Sequence, residues 1–443
     1  KKKFNDVVLP EYLTFEYIPT DKTFFKNVYK LSPGHYFEYK NNKLVIKQYH
    51  EIKYNIDDSK SLDEYKNELM NTLTESVKAH MVSDVEVGSF LSSGIDSSYI
   101  LNEASKISKV KSFSVGFDNE KINEIPHAKE FAKSIGVPNF SKTISSDEFF
   151  EVLPKCQYYM DEPLPNVSAI PLYFVSREAS KKVKVVLSGE GADELFGGYH
   201  TYFEPFELEK FKFIPFKKLL KNIVINLNDF HGKNLLIKLG TPLEERYIGM
   251  SYVMDKREIS KVLKNEYEYL EPYYFTKNIY NRVSNKDDVT KMQYLDIHMW
   301  MLQDILLKAD RMTMANSLES RVPFLDKKVL DLAMKIPSKY RVTKDNNKIV
   351  LRMATKEKLG NLISKRPKMS FPVPVGDWIK EDKYYNDIKE KFNSDIAKKY
   401  FNINYINKLL DNHKYKNKRN TKKIMTMYCF ILWYKEYFGD NYA

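Results

Sequence analysis

Residues 85–99 read VEVGSFLSSGIDSSY. An apolar run from Val85 to Leu91 stops at Ser92, Ser93, Gly94, Ile95, Asp96 and Ser97, after which Tyr99, Ile100 and Ala104 recur at helical spacing. A strand, a loop of small residues and a helix follow one another. In that order, backbone N–H groups can approach a phosphate while the helix dipole turns its positive end toward it. Ser92 and Ser97 add hydroxyl donors. Asp96 would set an anion beside an anion, which calls for a divalent cation between them; read alone, Asp96 or Ser97 would equally cap the helix. No Gly-Lys-Ser/Thr follows, so this is not a Walker loop.

A second stretch has the same build. Val183 to Leu187 is apolar and β-rich and ends in Ser188, Gly189, Glu190, Gly191, Ala192, Asp193 and Glu194. In an open parallel sheet the loops leaving the carboxyl ends of strands converge on one crevice, so two acid-bearing glycine loops would face one ligand.

Around these loops stand FLSSGIDSS (90–98), SFSVGF (112–117), MDEP (160–163), SAIPLYFVS (168–176), VVLSGEGADELFGGY (185–199), SLESRVPFLD (317–326) and RPKMSFPVP (366–374). On these residues, taken in this order, the chain resembles the asparagine synthetase family, specifically the synthetase half of the glutamine-dependent, B-type enzymes. The first loop alone would indicate only an ATP-pyrophosphatase fold.

Composition bounds the alternatives. A chain of 443 residues with 43% hydrophobic side chains is long enough for two or three cores. No apolar run approaches 20 residues, so no ordinary membrane span and no membrane partner is expected. Lys1, Lys2 and Lys3 lead into Asn5 and Asp6 rather than an apolar segment, and Cys156 and Cys429 supply neither a disulfide framework nor a metal pair. A cytoplasmic location is expected. The net charge of +12 raises an acidic partner, but the lysines are mixed with acids along the chain. The densest run, Lys414, Lys416, Lys418, Arg419, Lys422 and Lys423, has aromatic interleaving only at Tyr415 and reads as solvated surface; a nucleic-acid partner is not expected.

Along the chain, His35–Tyr39 and Lys43–Tyr49 pair as a hairpin across Asn41-Asn42. A helix is expected over 61–81, strands over 110–117 and 139–144, and helices over 124–135 and 147–159. Pro163, Pro165 and Pro171 break the chain before a helix over 172–182. This alternation is a doubly wound α/β unit. Beyond Tyr199 strand signals fade and helical patterns take over, as in 219–227, 287–312, 328–334 and 349–359.

The resemblance implies more. The fold would be an α/β doubly wound parallel sheet of the ATP-pyrophosphatase type followed by a mainly α-helical lobe. Residues 1–52 would be the tail of an N-terminal glutaminase domain whose body, with its nucleophilic cysteine, is missing; residues 53–443 would be the synthetase, with the nucleotide core at 57–200 and the helical lobe at 201–443. The activity would be that of an asparagine synthase (glutamine-hydrolysing). Aspartate and ATP give β-aspartyl-AMP and pyrophosphate, then ammonia from glutamine gives asparagine and AMP. ATP and Mg2+ are implied, and a homodimer is compatible.

By the same resemblance Asp96 and Asp193 would carry magnesium, Ser92, Gly94 and Ser97 would hold pyrophosphate, and Leu91, Val115, Ser188 and Gly189 would surround adenosine. Glu190 would serve formation of the acyl-adenylate and later take a proton from ammonia, and Lys368 would contact the phosphates as charge shifts to pyrophosphate. The stretch 164–168 lies where aspartate would bind. Asp310, Arg311, Glu319 and Arg321, flanked by apolar side chains, either line the substrate pocket or tie the helical lobe to the sheet. Ser93 replaces the second glycine of the commoner SGGxDS form, which is tolerated if its φ stays negative. Kept open beside this are adenylating relatives with another acyl acceptor (β-lactam synthetases, peptide cyclases, sugar amidotransferases) and, from the charge and the loop, an RNA-modifying or RNA-binding protein.

Overall fold

The computed structural model describes residues 2–119, 122–225, 227, 230–364 and 373–439. First in order come α1 (Leu9–Phe15) and a hairpin of β1 (His35–Lys40) and β2 (Lys43–Gln48). Asn41 and Asn42 turn it with φ of 51° and 56°, the left-handed pair that matches strand twist in a two-residue turn. Then follow α2 (Leu62–His80), β3 (Val87–Phe90), α3 (Ile95–Ser105), β4 (Lys111–Phe117), α4 (Ile125–Ser134) and β5 (Asn139–Ile144). The alternation ends with α5 (Ser146–Tyr159), α6 (Ala169–Ser180), β6 (Val185–Leu187) and α7 (Ala192–Phe196). Ser61 with Glu64, and Ser145 with Glu148, form capping boxes that start α2 and α5.

Five parallel strands lie in the order β5-β4-β3-β6-β7, the last being Glu319–Arg321. The order reverses between β3 and β6, so the unit is doubly wound as its α/β alternation predicts. The fifth strand lies beyond Tyr199, where the sequence places no strand and expects a mainly helical lobe. An edge strand of three polar residues carries no alternation to find; its backbone bonds to β6 hold it. The two faces have separate cores. Phe113, Val115 and Phe117 of β4 pack with α5, α6 and the helix Thr421–Phe438, whereas Val87, Val185 and Leu187 pack with α2, α3 and the helix Ile349–Ser364.

Two helical expectations shift. The helix after the proline loop begins at Ala169, three residues before the expected start, with Pro171 inside its first turn, where the missing N–H has no intrahelical acceptor to lose. The helix expected over 287–312 divides into Asp288–His298, a π-helical turn at Met301–Ile305 and Leu306–Met314. The extra residue of a π turn re-aims the side chains that follow, and Asp304 is wholly buried there.

Asp296, also wholly buried, accepts hydrogen bonds from Tyr202 (2.8 Å) and Tyr247. Removal from water raises its pKa to about 7 against 3.8 in the open chain. Between those values the folded state holds a proton that the unfolded state has released, so stability falls as pH rises from about 4 to about 7. Asp296→Asn removes that dependence. Thermal melts across this range should show the wild type losing on the order of 4 kcal/mol relative to the variant; parallel curves would mean that Asp296 stays ionised.

The first fifty residues divide in two. Val8, Leu9, Tyr12 and Phe24 are fully buried in the same core as Phe430 and Trp433. The hairpin is exposed from Tyr36 to Gln48, and Phe37, Tyr39, Leu44 and Ile46, which are cross-strand partners on one face, all meet solvent. No described helix is long and apolar enough to cross a membrane.

Candidate active site

β3 and β6 are paired at the point where the strand order reverses, so the loops that follow them meet over the carboxyl ends of the sheet. Their approach is close. A Cβ added to Gly189 would stand 3.2 Å from the Asp96 Cβ and 3.2 Å from the Ser97 nitrogen. Gly191, at φ +86°, has no room for a side chain because Leu325 occupies the space. Glu190 is held between them on a turn, half-exposed.

The first loop satisfies its own donors. The Ser92 N–H donates to Ser97 Oγ (3.0 Å), the two hydroxyls lie 2.9 Å apart, and the Gly94 N–H donates to Ser92 Oγ (3.1 Å). The Ser93 N–H donates to Oε2 of the buried Glu124 (3.0 Å). Ser93 is not among the residues of positive φ, and Gly94 has φ −82°, so serine fits where glycine is commoner. The N–H groups left for an anion are those of the first turn of α3, which by helical geometry lack intrahelical acceptors. Ser188 donates its N–H to the Arg321 carbonyl (2.8 Å), and the Leu91 N–H goes to Phe113 (2.8 Å). Leu91 and Val115 are both buried, in the cores of opposite sheet faces.

Asp96 and Asp193 come together on one cation that sequence reasoning missed. Lys348 Nζ lies 2.6 Å from Asp96 Oδ2 and 2.6 Å from Asp193 Oδ1, with the lysine side chain only 2% exposed. The two carboxylates therefore sit no more than twice that distance apart. Burial pulls the Lys348 pKa down, but Asp193 and Asp96 outweigh it and leave it raised, so the ammonium stays charged. Gly198 makes room: a Cβ there would overlap Asp193 and the Lys348 side chain. Lys348 adopts φ +50°, a left-handed backbone uncommon for a residue with a side chain, immediately before the helix Ile349–Ser364. Hard carboxylate oxygens from two loops are the donors that Mg2+ takes beside phosphate oxygens and water, so the residues fit that ion.

The other expected residues scatter. Lys368 lies outside the described residues. Arg311 pairs with Asp161 (2.8 Å). Arg321 bonds Glu319 (2.7 Å) and, through Nη1, the carbonyls of His80 and Val82, tying the end of α2 to β7. Asp310 is exposed, and the four form no single cluster. Beside 164–168 stand two groups the sequence reading did not name. Asp304 accepts from Asn166, and Lys308 donates to Ser168 Oγ (3.0 Å). Burial raises the Asp304 pKa to about 7. A second link joins this turn to the β6 loop: Trp300 Nε1 donates to Tyr199 Oη (3.3 Å), which donates to the buried Glu194.

Paired phosphate-type loops at the switch point, each with an acid, match the asparagine synthase family, which aligns with residues 68–435. The chain belongs to the asparagine synthase family. Among family relatives, asparagine synthetase [glutamine-hydrolyzing] 1 of Bacillus subtilis is 40% identical over 433 residues, which is 96% of this chain and 68% of its own length. A putative asparagine synthetase [glutamine-hydrolyzing] of Mycobacterium bovis is 35% identical over 438 residues, 96% of this chain and 67% of its own. The stretch shared with the family runs from α2 through the C-terminal helix, and so includes Lys348 as well as both loops.

Proposed function

We propose that this member of the asparagine synthase family joins ammonia to the β-carboxylate of aspartate at the expense of ATP. The observation that carries the reading is the meeting of Asp96 and Asp193 on Lys348 where the strand order reverses. ATP and aspartate are both anions, and a site that unites them must supply positive charge. Here the α3 N-terminus supplies part of it, while Lys348 between Asp96 and Asp193 leaves the cluster one negative charge in excess, which a divalent cation would offset. Mg2+, held by Asp96 and Asp193, would add Lewis-acid polarisation of the phosphates.

An oxygen of the aspartate β-carboxylate attacks the α-phosphorus, the α–β bridge bond breaks, and pyrophosphate leaves. Ser92, Gly94 and Ser97 receive it once the Ser92–Ser97 hydroxyl contact opens to a phosphate oxygen. Leu91, Val115, Ser188 and Gly189 flank the adenosine, and Lys368 accompanies the charge onto pyrophosphate. Ammonia then attacks the acyl carbon, AMP leaves, and Glu190 accepts the surplus proton. Beside 164–168, Lys308 offers a cation for an amino acid's carboxylate, and the buried Asp304 offers a carboxyl that an arriving ammonium would draw into its ionised form. Ammonia would come from glutamine in a glutaminase segment seated on the exposed face of the hairpin.

The test is AMP and pyrophosphate formation from ATP, Mg2+ and ammonium with aspartate against a panel of other carboxylates. Aspartate-dependent release of both, with asparagine as the product, is expected. AMP release with another carboxylate and none with aspartate would move the chain to an adenylating relative with a different acyl acceptor.

A further inference from the structure

The chain between β6 and β7 carries an exposed surface that the catalytic reading does not use. Between Lys210 and Gly240 there are seven lysines and a single acid, Asp229. Within it Phe213 is 83% exposed and Phe216 78%. Phe216, Leu219 and Ile223 follow at spacings of three and four along the helix Lys217–Val224 and share its solvent side, while Val224 turns inward and Leu220 is half-buried. Leu227 extends the exposed ridge past the helix end. Lys212, Lys221 and Lys238 pair with Glu209, Glu245 and Glu204, while Lys217 and Lys218 stand beside the apolar side chains left in water, which are costly unless a partner covers them.

We propose that this surface docks the protein on an anionic lipid bilayer, with Phe213, Phe216, Leu219 and Ile223 entering the headgroup boundary and Lys217 and Lys218 meeting acidic headgroups. A basic amphipathic helix with aromatic and aliphatic side chains on one side lies in the interface plane without spanning it. The lack of a long apolar run, from which no membrane partner was expected, bears on spanning only. Charge selects among occupants. A second copy would bring lysines against lysines, and a nucleic acid could stack bases on Phe213 and Phe216 but would leave the aliphatic ridge of Leu219 and Ile223 in water, which an acyl boundary covers. The proposal stands independently of the aspartate reading.

The experiment is flotation of the full chain with phosphatidylcholine vesicles and with vesicles that also contain phosphatidylglycerol, over a salt series. Binding is expected to the anionic vesicles, not to the neutral ones, and to weaken as salt rises. Phe213→Ser with Phe216→Ser, and separately Lys217→Glu with Lys218→Glu, should each weaken binding by about tenfold. Phe213, Phe216 and Lys218 are exposed and Lys217 is half-buried, so melting temperatures should change little. No flotation, or flotation equal for wild type and variants, overturns the proposal. So does loss of self-association or of RNA retention in the variants with vesicle binding unchanged, since the surface would then serve another partner.

Discussion

Glu190→Gln is expected to slow aspartate-dependent AMP formation by about 10²–10⁴-fold, the range associated with losing a positioned proton-transfer group. The residue sits between Gly189, pressed against Asp96 and Ser97, and Gly191, whose φ of +86° and contact with Leu325 forbid a side chain. The backbone is thus fixed on both sides while the carboxylate remains half-exposed. Among the described residues no salt bridge engages it, so it has no evident structural duty, and glutamine preserves its shape. The variant should melt with the wild type. Pyrophosphate release in a single turnover separates the two steps assigned to this carboxylate. A burst that survives while asparagine is lost would confine Glu190 to the amidation step. Unchanged steady-state turnover would remove it from the chemistry.

Lys348→Met is expected to be costlier, because it affects stability as well as rate. Removing one partner of a buried ionic cluster typically costs 3–5 kcal/mol; Asp96 and Asp193 are 20% and 24% exposed, which lowers the expectation to about 2–4 kcal/mol. AMP formation should fall by about 10²-fold or more through loss of fixed positive charge. The same variant tests the metal assignment without reference to turnover. With the ammonium gone, Mg2+ should raise the melting temperature of Lys348→Met in a concentration-dependent way, because an ion that binds only the folded pair stabilises it. If millimolar Mg2+ leaves the variant's melt unmoved, Asp96 and Asp193 do not form a magnesium site by themselves.

The two loops were legible because each interrupts an apolar strand with small residues and an acid, a local pattern that survives in one dimension. Asp96 and Asp193 could therefore be named together before any geometry. Lys348 could not. It stands in KDNNKIVLR, one lysine among many, with no glycine and no apolar strand before it. Its role arises from tertiary placement and from the space left by Gly198, 150 residues earlier in the chain. A charged side chain at a left-handed position just before a helix is a feature that φ shows and sequence does not. β7 was missed for a related reason: Glu319, Ser320 and Arg321 are strand by backbone pairing, not by side-chain character. Asp310, Arg311, Glu319 and Arg321 looked like one group only because they are near one another in sequence. Helix and strand point them to different neighbours, Asp161 for Arg311 and the end of α2 for Arg321.

The burial of residues 8–24 against the last helix also sets an order on how the protein is made. Tyr12 Oη donates to the carbonyl of Thr426 (2.7 Å), and Phe4 and Phe24 both meet Phe430 and Trp433 in tilted ring contacts. During synthesis at about 5–20 residues per second, those first apolar side chains wait roughly 20–80 s before their partners leave the ribosome. For that interval the nucleotide-binding sheet can form from nearer neighbours while α1 has only segments such as 253–275 to pack on, through the Val253 N–H on the Thr14 carbonyl and Phe275 on Phe15. A nascent chain stalled before residue 421 should thus leave Tyr12 and Phe24 without their aromatic partners and open to chaperones, and the helix Thr421–Phe438 acts as the clasp that ends this dependence.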